Sequence, residues 1–306
     1  VQTILDYRMV SKLRSTYAEA LPQNIHAGTG RIHTTFHQVA TATGRLSSQS
    51  PNLQNIPIRH ALGQEIRKAF VPRQEGFTLL SADYSQIELR VMASMSGDPS
   101  MKAAFESGQD IHAATAAHVF HVEAEAVTEE MRRKAKMVNF GVLYGMSAFG
   151  LSQRLGISRK DASEIIDHYW ASFPSIKAYM DRTVEQARER GYVETLLGRR
   201  RYLPDIQSAN GTIRAMAERN AINSPIQGSA ADMIKAAMVL VWKAFSRKSF
   251  ASRLVLQVHD ELIFDAKVDE VDEIKPMIRE CMVHALPLDV PVEVDIGDGP
   301  HWLAAH

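Results

Sequence analysis

The sequence predicts an α+β protein in which a helical segment interrupts a strand-bearing one. Three observations carry that prediction. Long apolar runs of strand type occupy Phe77–Asp83 and Leu254–Phe264. Residues from about 98 to 190 repeat apolar positions with helical spacing. Strand-like runs then return, ending with Val290–Ile296. A helical middle between two strand-bearing ends reads as an insertion.

The elements follow in order. Leu5, Met9, Leu13 and Tyr17 recur every four residues, predicting a helix that stops before Pro22. Residues 24–60 are rich in Thr, Ser, Gln, Asn and Pro, which predicts short strands and long ordered loops where functional polar groups collect. Strand 77–83 follows, with Glu88 just inside the next helix. Thr128 caps a helix whose first turn holds Glu129 and Glu130, and Ser158 with Asp161 resembles a capping box. Tyr192–Leu203 predicts a hairpin. Helices are expected near 211–223 and 227–246, with Pro225 between them. A hairpin across 253–266, a helix near 269–285 and the strand 290–296 complete the chain.

Composition narrows the function classes. The chain has 306 residues, 45% hydrophobic and 23% charged, ordinary for a globular protein. No run of about 18 apolar residues appears, so no membrane helix and no membrane partner are expected. The chain opens on Val1, without an initiator Met or a signal-peptide pattern, and reads as a piece of a longer one. Cys281, the single cysteine, is expected as a buried structural thiol; one cysteine excludes an internal disulfide and a cysteine-based zinc site. Lys+Arg and Asp+Glu both number 35, for a net charge of zero. The charge is local: Arg132–Lys136 and Arg199–Arg201 are basic, and Asp265–Glu273 is largely acidic.

Several constellations could carry chemistry. Asp83 and Asp260 each stand where an apolar run turns polar. A carboxylate at a strand end is costly to desolvate unless a cation or donor meets it. Brought together, two of them make a hard oxygen site suited to Mg²⁺. A solvated turn is the plain alternative for His259-Asp260-Glu261. Arg132, Lys136, Phe140 and Tyr144 are spaced i, i+4, i+8 and i+12. On a helix they form a slowly winding stripe about 18 Å long, cationic at one end and aromatic at the other. A nucleoside triphosphate is laid out in the same order, although an ordinary amphipathic helix gives this pattern too. Arg219, Asn223 and Gln227 repeat at i, i+4, i+8 and could reach minor-groove acceptors, which every base pair presents, or form a polar junction at Pro225. Glu88 could exclude a ribose 2′-hydroxyl, or form a surface ion pair. His112 could bind phosphate, or be structural in its Ala-rich helix.

At these residues the chain resembles the family A DNA polymerases. Asp83-Tyr84-Ser85-Gln86-Ile87-Glu88-Leu89-Arg90 is similar to their motif A. Arg132 to Gly145 is similar to motif B, and Val258-His259-Asp260-Glu261 to motif C. The order is right, and the resemblance runs from about residue 20 to 306. It implies an antiparallel-sheet palm with an inserted all-helical fingers subdomain. Residues 1–22 would be a remnant of a thumb helix, 23–92 and 211–306 the two parts of the palm, and 93–210 the fingers. It implies two Mg²⁺ ions, with Mn²⁺ able to substitute, held by Asp83, Asp260, the Tyr84 carbonyl and the auxiliary Glu261. Lys136 would be catalytic with Asp83 and Asp260, as proton donor to the leaving pyrophosphate. Arg132, Lys136 and His112 would contact phosphate, Phe140 and Tyr144 would place base and sugar, and Glu88 would gate the sugar. Gln86 belongs to the same nucleotide-binding set. Arg45, Arg219, Asn223, Gln227 and His259 would hold primer–template DNA.

The reading expected from all this is template-directed nucleotidyl transfer from a dNTP to a primer 3′-hydroxyl, by a monomeric bacterial enzyme of the cytoplasm and nucleoid. The helix from Arg132 to Tyr144 would swing inward on a correct pair. Because most of the thumb and any exonuclease domain lie outside this chain, one alternative is a fragment that binds DNA and dNTP with little activity. Another is a two-metal nuclease or phosphohydrolase, in which the stripe would have no purpose.

Overall fold

The computed structural model describes residues 1–58 and 61–306. Arg59 and His60, which lie in and end the polar segment 24–60, fall outside the described residues. In chain order, α1 (Gln2–Leu13) passes through a π-helical turn (Arg14–Ala18) into α2 (Ala20–Gln23). Short strands β1 (Ile25–His26), β2 (Arg31–Ile32), β3 (Thr35–His37) and β4 (Ser47–Gln49) lead to α3 (Ala61–Arg67) and β5 (Phe77–Tyr84). The helices α4 (Ile87–Ser96), α5 (Pro99–Glu106), α6 (Ile111–Phe120), α7 (Glu129–Leu143), α8 (Ala148–Leu155), α9 (Arg159–Ser172) and α10 (Pro174–Arg190) follow. Then come β6 (Tyr192–Glu194), β7 (Arg200–Tyr202), α11 (Gly211–Lys248), β8 (Arg253–Val258), β9 (Glu261–Lys267), α12 (Val271–Val283), β10 (Val294–Gly299) and α13 (Trp302–Ala305).

The residues cluster into two compact units. The first comprises Val1–Ser85, Met233–Leu286 and Glu293–His306; the second comprises Gln86–Asp232 and Pro287–Val292. In the first, β10, β5, β9 and β8 form an antiparallel sheet in that order. Leu79, Leu80, Ala82, Leu262 and Phe264 are buried, so β5 and β9 read as continuous apolar runs. The backbone of α13 packs so close to β10 that a Cβ on Gly297 would lie 2.5 Å from the Ala305 carbonyl oxygen. Tyr84 lends its hydroxyl to the Met282 carbonyl at 2.7 Å, tying α12 to β5.

The second unit is mostly helical and also carries the β6–β7 hairpin. Its helix starts follow local capping chemistry. Asp98 accepts from the Met101 N–H, Asp110 from those of His112 and Ala113, Thr128 from Met131 and Ser158 from Asp161. The hairpin is pinned to α11: Asp232 accepts from Thr195 and from two nitrogens of Arg199, and Ser224 accepts from Arg201.

Several expectations are corrected. The helices expected at 211–223 and 227–246 are one helix, with Pro225 inside it. A proline removes one intrahelical bond but need not end a helix when its neighbours hold the turn. Here the Ser224 and Ser229 hydroxyls bond the Asn220 and Pro225 carbonyls, and Ala221, Ile226 and Ala230 are buried around the turn. The last strand starts at Val294, not Val290. Pro291 has no N–H for a ladder, and its carbonyl accepts from Arg90 instead. Pro22 lies inside α2, in a first turn where a missing N–H costs nothing. Tyr144 is the C-cap of α7 and not part of its body. Cys281 is only half-buried.

Candidate active site

In the first unit the strand register assembles the acidic residues. Asp83 pairs with Glu261 across β5 and β9, and with Asp295 across β5 and β10. Val258 pairs with Glu261, so His259 and Asp260 form a two-residue turn. His259 sits there at φ 53°, in the left-handed region that such tight hairpin turns require. The Tyr84 N–H donates to the Asp260 carbonyl at 3.2 Å, which fixes the turn beside the end of β5.

Asp83 and Asp260 are half-buried. Burial, then the charges of Glu261 and Asp260, push the Asp83 carboxyl up to about 7. Burial also raises Asp260, while Arg45 pulls it back. Glu261 differs from both. Burial raises it, but hydrogen bonds from His306, Ser81 and Trp302 outweigh that and hold it below the usual range. Its Oε1 accepts from Ser81 Oγ at 2.6 Å and Trp302 Nε1 at 3.0 Å, and His306 Nδ1 lies 3.4 Å away. Two aspartates therefore stand in a half-buried setting, while the glutamate beside them is already satisfied by the protein. Two carboxyls raised chiefly by burial, one of them also by neighbouring negative charge, are what a divalent cation relieves. Among the described residues no three His, Cys, Asp or Glu side chains converge as a ready cage. Asp83 and Asp260 could hold a divalent cation with most of its coordination positions left open.

In the second unit, α7 carries the predicted stripe. Arg132 reaches Asp110 Oδ2 through Nε at 3.0 Å and Nη2 at 2.6 Å, while Asp110 Oδ1 caps α6. Lys136 is exposed. Phe140 is half-buried, its ring 5.8 Å from that of His112. His112 is 2% exposed, and burial pushes its pKa down to about 4. Asn139 Nδ2 donates to His112 Nδ1 at 3.0 Å, so the neutral ring keeps its proton on Nε2. The Tyr144 hydroxyl donates to the buried Glu88 carboxylate. Gly145 follows at φ +66°, and a Cβ there would meet Arg219 Cγ at 2.9 Å; both facts require glycine.

The structure thus brings Asp83, Tyr84, Asp260, Glu261, Arg45 and His259 together within the first unit. Within the second it joins Arg132 to the His112 helix, Tyr144 to Glu88, and Arg219 to the Gly145 turn. Asn223 and Gln227 continue the Arg219 face of α11 and are half-buried. The buried Oδ1 of Asn223 and Oε1 of Gln86 have no hydrogen-bond partner among the described residues. Sequence reasoning missed the supporting residues. Asp110 and Asn139 on one side, and Ser81, Trp302 and His306 on the other, hold the predicted groups. The Asp110 cap before Ile111–Phe120 was a readable signal; the approach of Trp302 to Glu261 had none.

The model of DNA polymerase family A matches residues 1–304. The chain is 56% identical over 306 residues to the thermostable DNA polymerase I of Thermus filiformis, covering 100% of this chain and 36% of that protein. It is 52% identical over 305 residues to DNA polymerase I of Bacillus subtilis, covering 100% of this chain and 35% of that one. The chain therefore spans about a third of the length of these relatives. A solved structure, the POL domain of Pol1 from M. smegmatis in complex with DNA primer-template and dNTP, superposes with a TM-score of 0.95 at 48% identity. That match covers 99% of this chain and 53% of the other. No described helix is long and apolar enough to cross a membrane. With family match, relatives and fold in agreement, the chain belongs to DNA polymerase family A.

Proposed function

We propose that this chain extends a DNA primer with template-matched deoxynucleotides, releasing pyrophosphate. The observation that carries the reading is the pair Asp83 and Asp260, set by the β5 end and the β8–β9 turn and both raised by burial, Asp83 further by the charges of Glu261 and Asp260. In this reading residues 23–92 and 211–306 are the palm, 93–210 the fingers, and 1–22 the remnant of a thumb helix. The partners are primer–template DNA and dNTPs, the working form is a monomer, and the setting is the bacterial cytoplasm and nucleoid.

Two Mg²⁺ ions, held by Asp83, Asp260 and the Tyr84 carbonyl, would activate the primer hydroxyl and neutralise the triphosphate. The remaining tasks belong to side chains. Glu261, its Oε1 occupied by Ser81 and Trp302, keeps Oε2 for an auxiliary role. Lys136 supplies an exposed ammonium that can protonate the departing pyrophosphate. Arg132 leaves Asp110 for phosphate, exchanging one anion for another. His112 contributes an Nε2–H and no charge, being neutral at pH 7. Phe140 packs on base and sugar, and the Glu88–Tyr144 pair blocks the space a 2′-hydroxyl needs. Gln86 belongs with the nucleotide-binding groups, and Arg45, Arg219, Asn223, Gln227 and His259 hold primer–template DNA. The unpartnered oxygens of Asn223 and Gln86 find donors there.

Primer extension with pyrophosphate detection tests this. Asp83→Ala and Asp260→Ala should each lower the rate at least ~10³-fold, the scale of losing a central catalytic group. Extension by either variant at the parent rate would overturn the assignment. Hydrolysis of DNA or dNTP without primed template would favour a nuclease or phosphohydrolase instead.

A further inference from the structure

The first unit contains a cavity of about 600 Å³, separate from the two aspartates. That volume lies within the range of small-molecule sites. Its lining is largely apolar and includes Ile32 of β2, Leu79 of β5, Leu256 of β8, Ile263 of β9, Phe70 and Trp302. At one part of this lining sits Asp265, 1% exposed, between two arginines. Arg31 Nη2 donates to it at 3.0 Å, Arg73 Nε lies 3.1 Å away, and the Arg73 N–H bonds it at 3.3 Å. Arg73 is used further, its Nη2 on the Ala251 carbonyl at 2.7 Å and its guanidinium 4.0 Å over the Phe77 ring. Arg31 makes only the one bond among the described residues, and its side chain is 42% exposed. One carboxylate against two guanidiniums leaves a net positive charge on an apolar cavity.

The cavity also touches the acidic cluster. Trp302 lines it, and the same side chain donates to Glu261 Oε1 at 3.0 Å. Arg67 stacks 4.1 Å over the Trp302 ring, and Phe70, also in the lining, meets that ring edge-on at 5.4 Å. Arg67 is 4% exposed, and its Nε and Nη1 have no hydrogen-bond partner among the described residues. A movement of Trp302 therefore changes both a hydrogen bond to Glu261 and the seat of a buried cation.

We propose that this cavity is an effector site for a small amphipathic organic anion. The ligand's apolar body fills the cavity, its acidic group meets Arg31, and occupancy acts on Glu261 through Trp302. Only the last clause rests on the polymerase reading.

The test uses 8-anilinonaphthalene-1-sulfonate and its uncharged analogue N-phenyl-1-naphthylamine. Trp170→Phe with Trp242→Phe leaves Trp302 as the sole tryptophan. Saturable one-to-one binding with energy transfer from Trp302 is expected, together with a rise in melting temperature, since a ligand of the native state stabilises it. Arg31→Ala should weaken the sulfonate about fivefold or more, roughly 1 kcal/mol, and the analogue less than twofold; Arg31→Lys should restore most of the difference. Unsaturable binding, no transfer from Trp302, a lowered melting temperature, or equal loss of both probes would overturn the site. Primer extension should fall over the concentration range that fills the cavity, and undisturbed extension at full occupancy would overturn the coupling. A chain that extends no primers at all leaves the binding arm decisive, so the two readings fail separately.

Discussion

The carboxylate end of the sheet and the helix α7 are built on opposite principles. At the sheet, ladder register and a two-residue turn place Asp83 and Asp260, and burial holds both carboxyls above their usual range. On α7 and at its end, working groups are already satisfied by the protein: Arg132 by Asp110, Tyr144 by Glu88, and His112, packed beside α7, by Asn139. One region sets buried carboxyls on a rigid frame, where the proposed function would bring a cation to them. The other holds its polar groups in internal pairs, which in the proposed function a substrate would displace. Chemistry that needs fixed geometry sits on backbone hydrogen bonds, and recognition that must be reversible sits on exchangeable side-chain pairs.

Four changes would break or sharpen that contrast. The largest effect is expected for Lys136→Ala, an exposed cation without an internal substitute. Its maximal extension rate should fall about 100-fold, within the usual span for a lost general acid, while far-UV circular dichroism stays that of the parent. A fall confined to nucleotide affinity would remove it from proton transfer.

Glu88→Ala opens the space beside Tyr144. Ribonucleotide incorporation should rise roughly tenfold or more relative to deoxynucleotides, since losing a steric and polar block is worth about 1.4 kcal/mol or more. Unchanged sugar selectivity in competition assays would place the gate elsewhere.

The pH dependence of stability probes the carboxyl pair. The folded pKa of Asp83, about 7, exceeds its ordinary value of 3.8. Between those values the folded chain binds the proton and the unfolded chain does not, so this group's contribution is present at low pH and lost as pH rises toward 7. The metal-free melting temperature should therefore decline across that window, and Asp83→Asn should flatten the decline. A parent slope kept by the variant would show that Asp83 is not the group responsible.

The smallest effect is expected for Asp110→Ala. Loss of the α6 cap should destabilise the chain by about 1 kcal/mol, read by chemical denaturation. Release of Arg132 should tighten dNTP binding a few-fold by titration. Weaker binding would mean that the pair positions Arg132 and does not restrain it.

Legibility in the sequence follows the same division. Asp83 and Asp260 were visible because a charge at the end of an apolar strand breaks a local pattern. The α7 stripe was visible because helical spacing is local, and the Thr128 cap agreed with it. The internal pairs were not visible: Asp110 and Arg132 lie on different helices, and Glu88 is 56 positions from Tyr144. Pro225 misled because a break in local propensity was read as a break in the helix, whereas the packing of Ala221, Ile226 and Ala230 carries α11 through it. The start of β10 was misplaced because Pro291 fits an apolar run but not a ladder.

By itself the sequence determined the order of most strands and helices, several caps and turns, and which residue types suited to metal and nucleotide stand at their ends and along their faces. Those properties depend on neighbours within a few residues. Tertiary structure alone decided that Glu261 is satisfied by Ser81 and Trp302, that Arg132 is held by Asp110, and that Asp265 is buried between two arginines. Each pair joins residues far apart in the chain. Their proximity is set by sheet register and helix packing, which the local pattern does not contain.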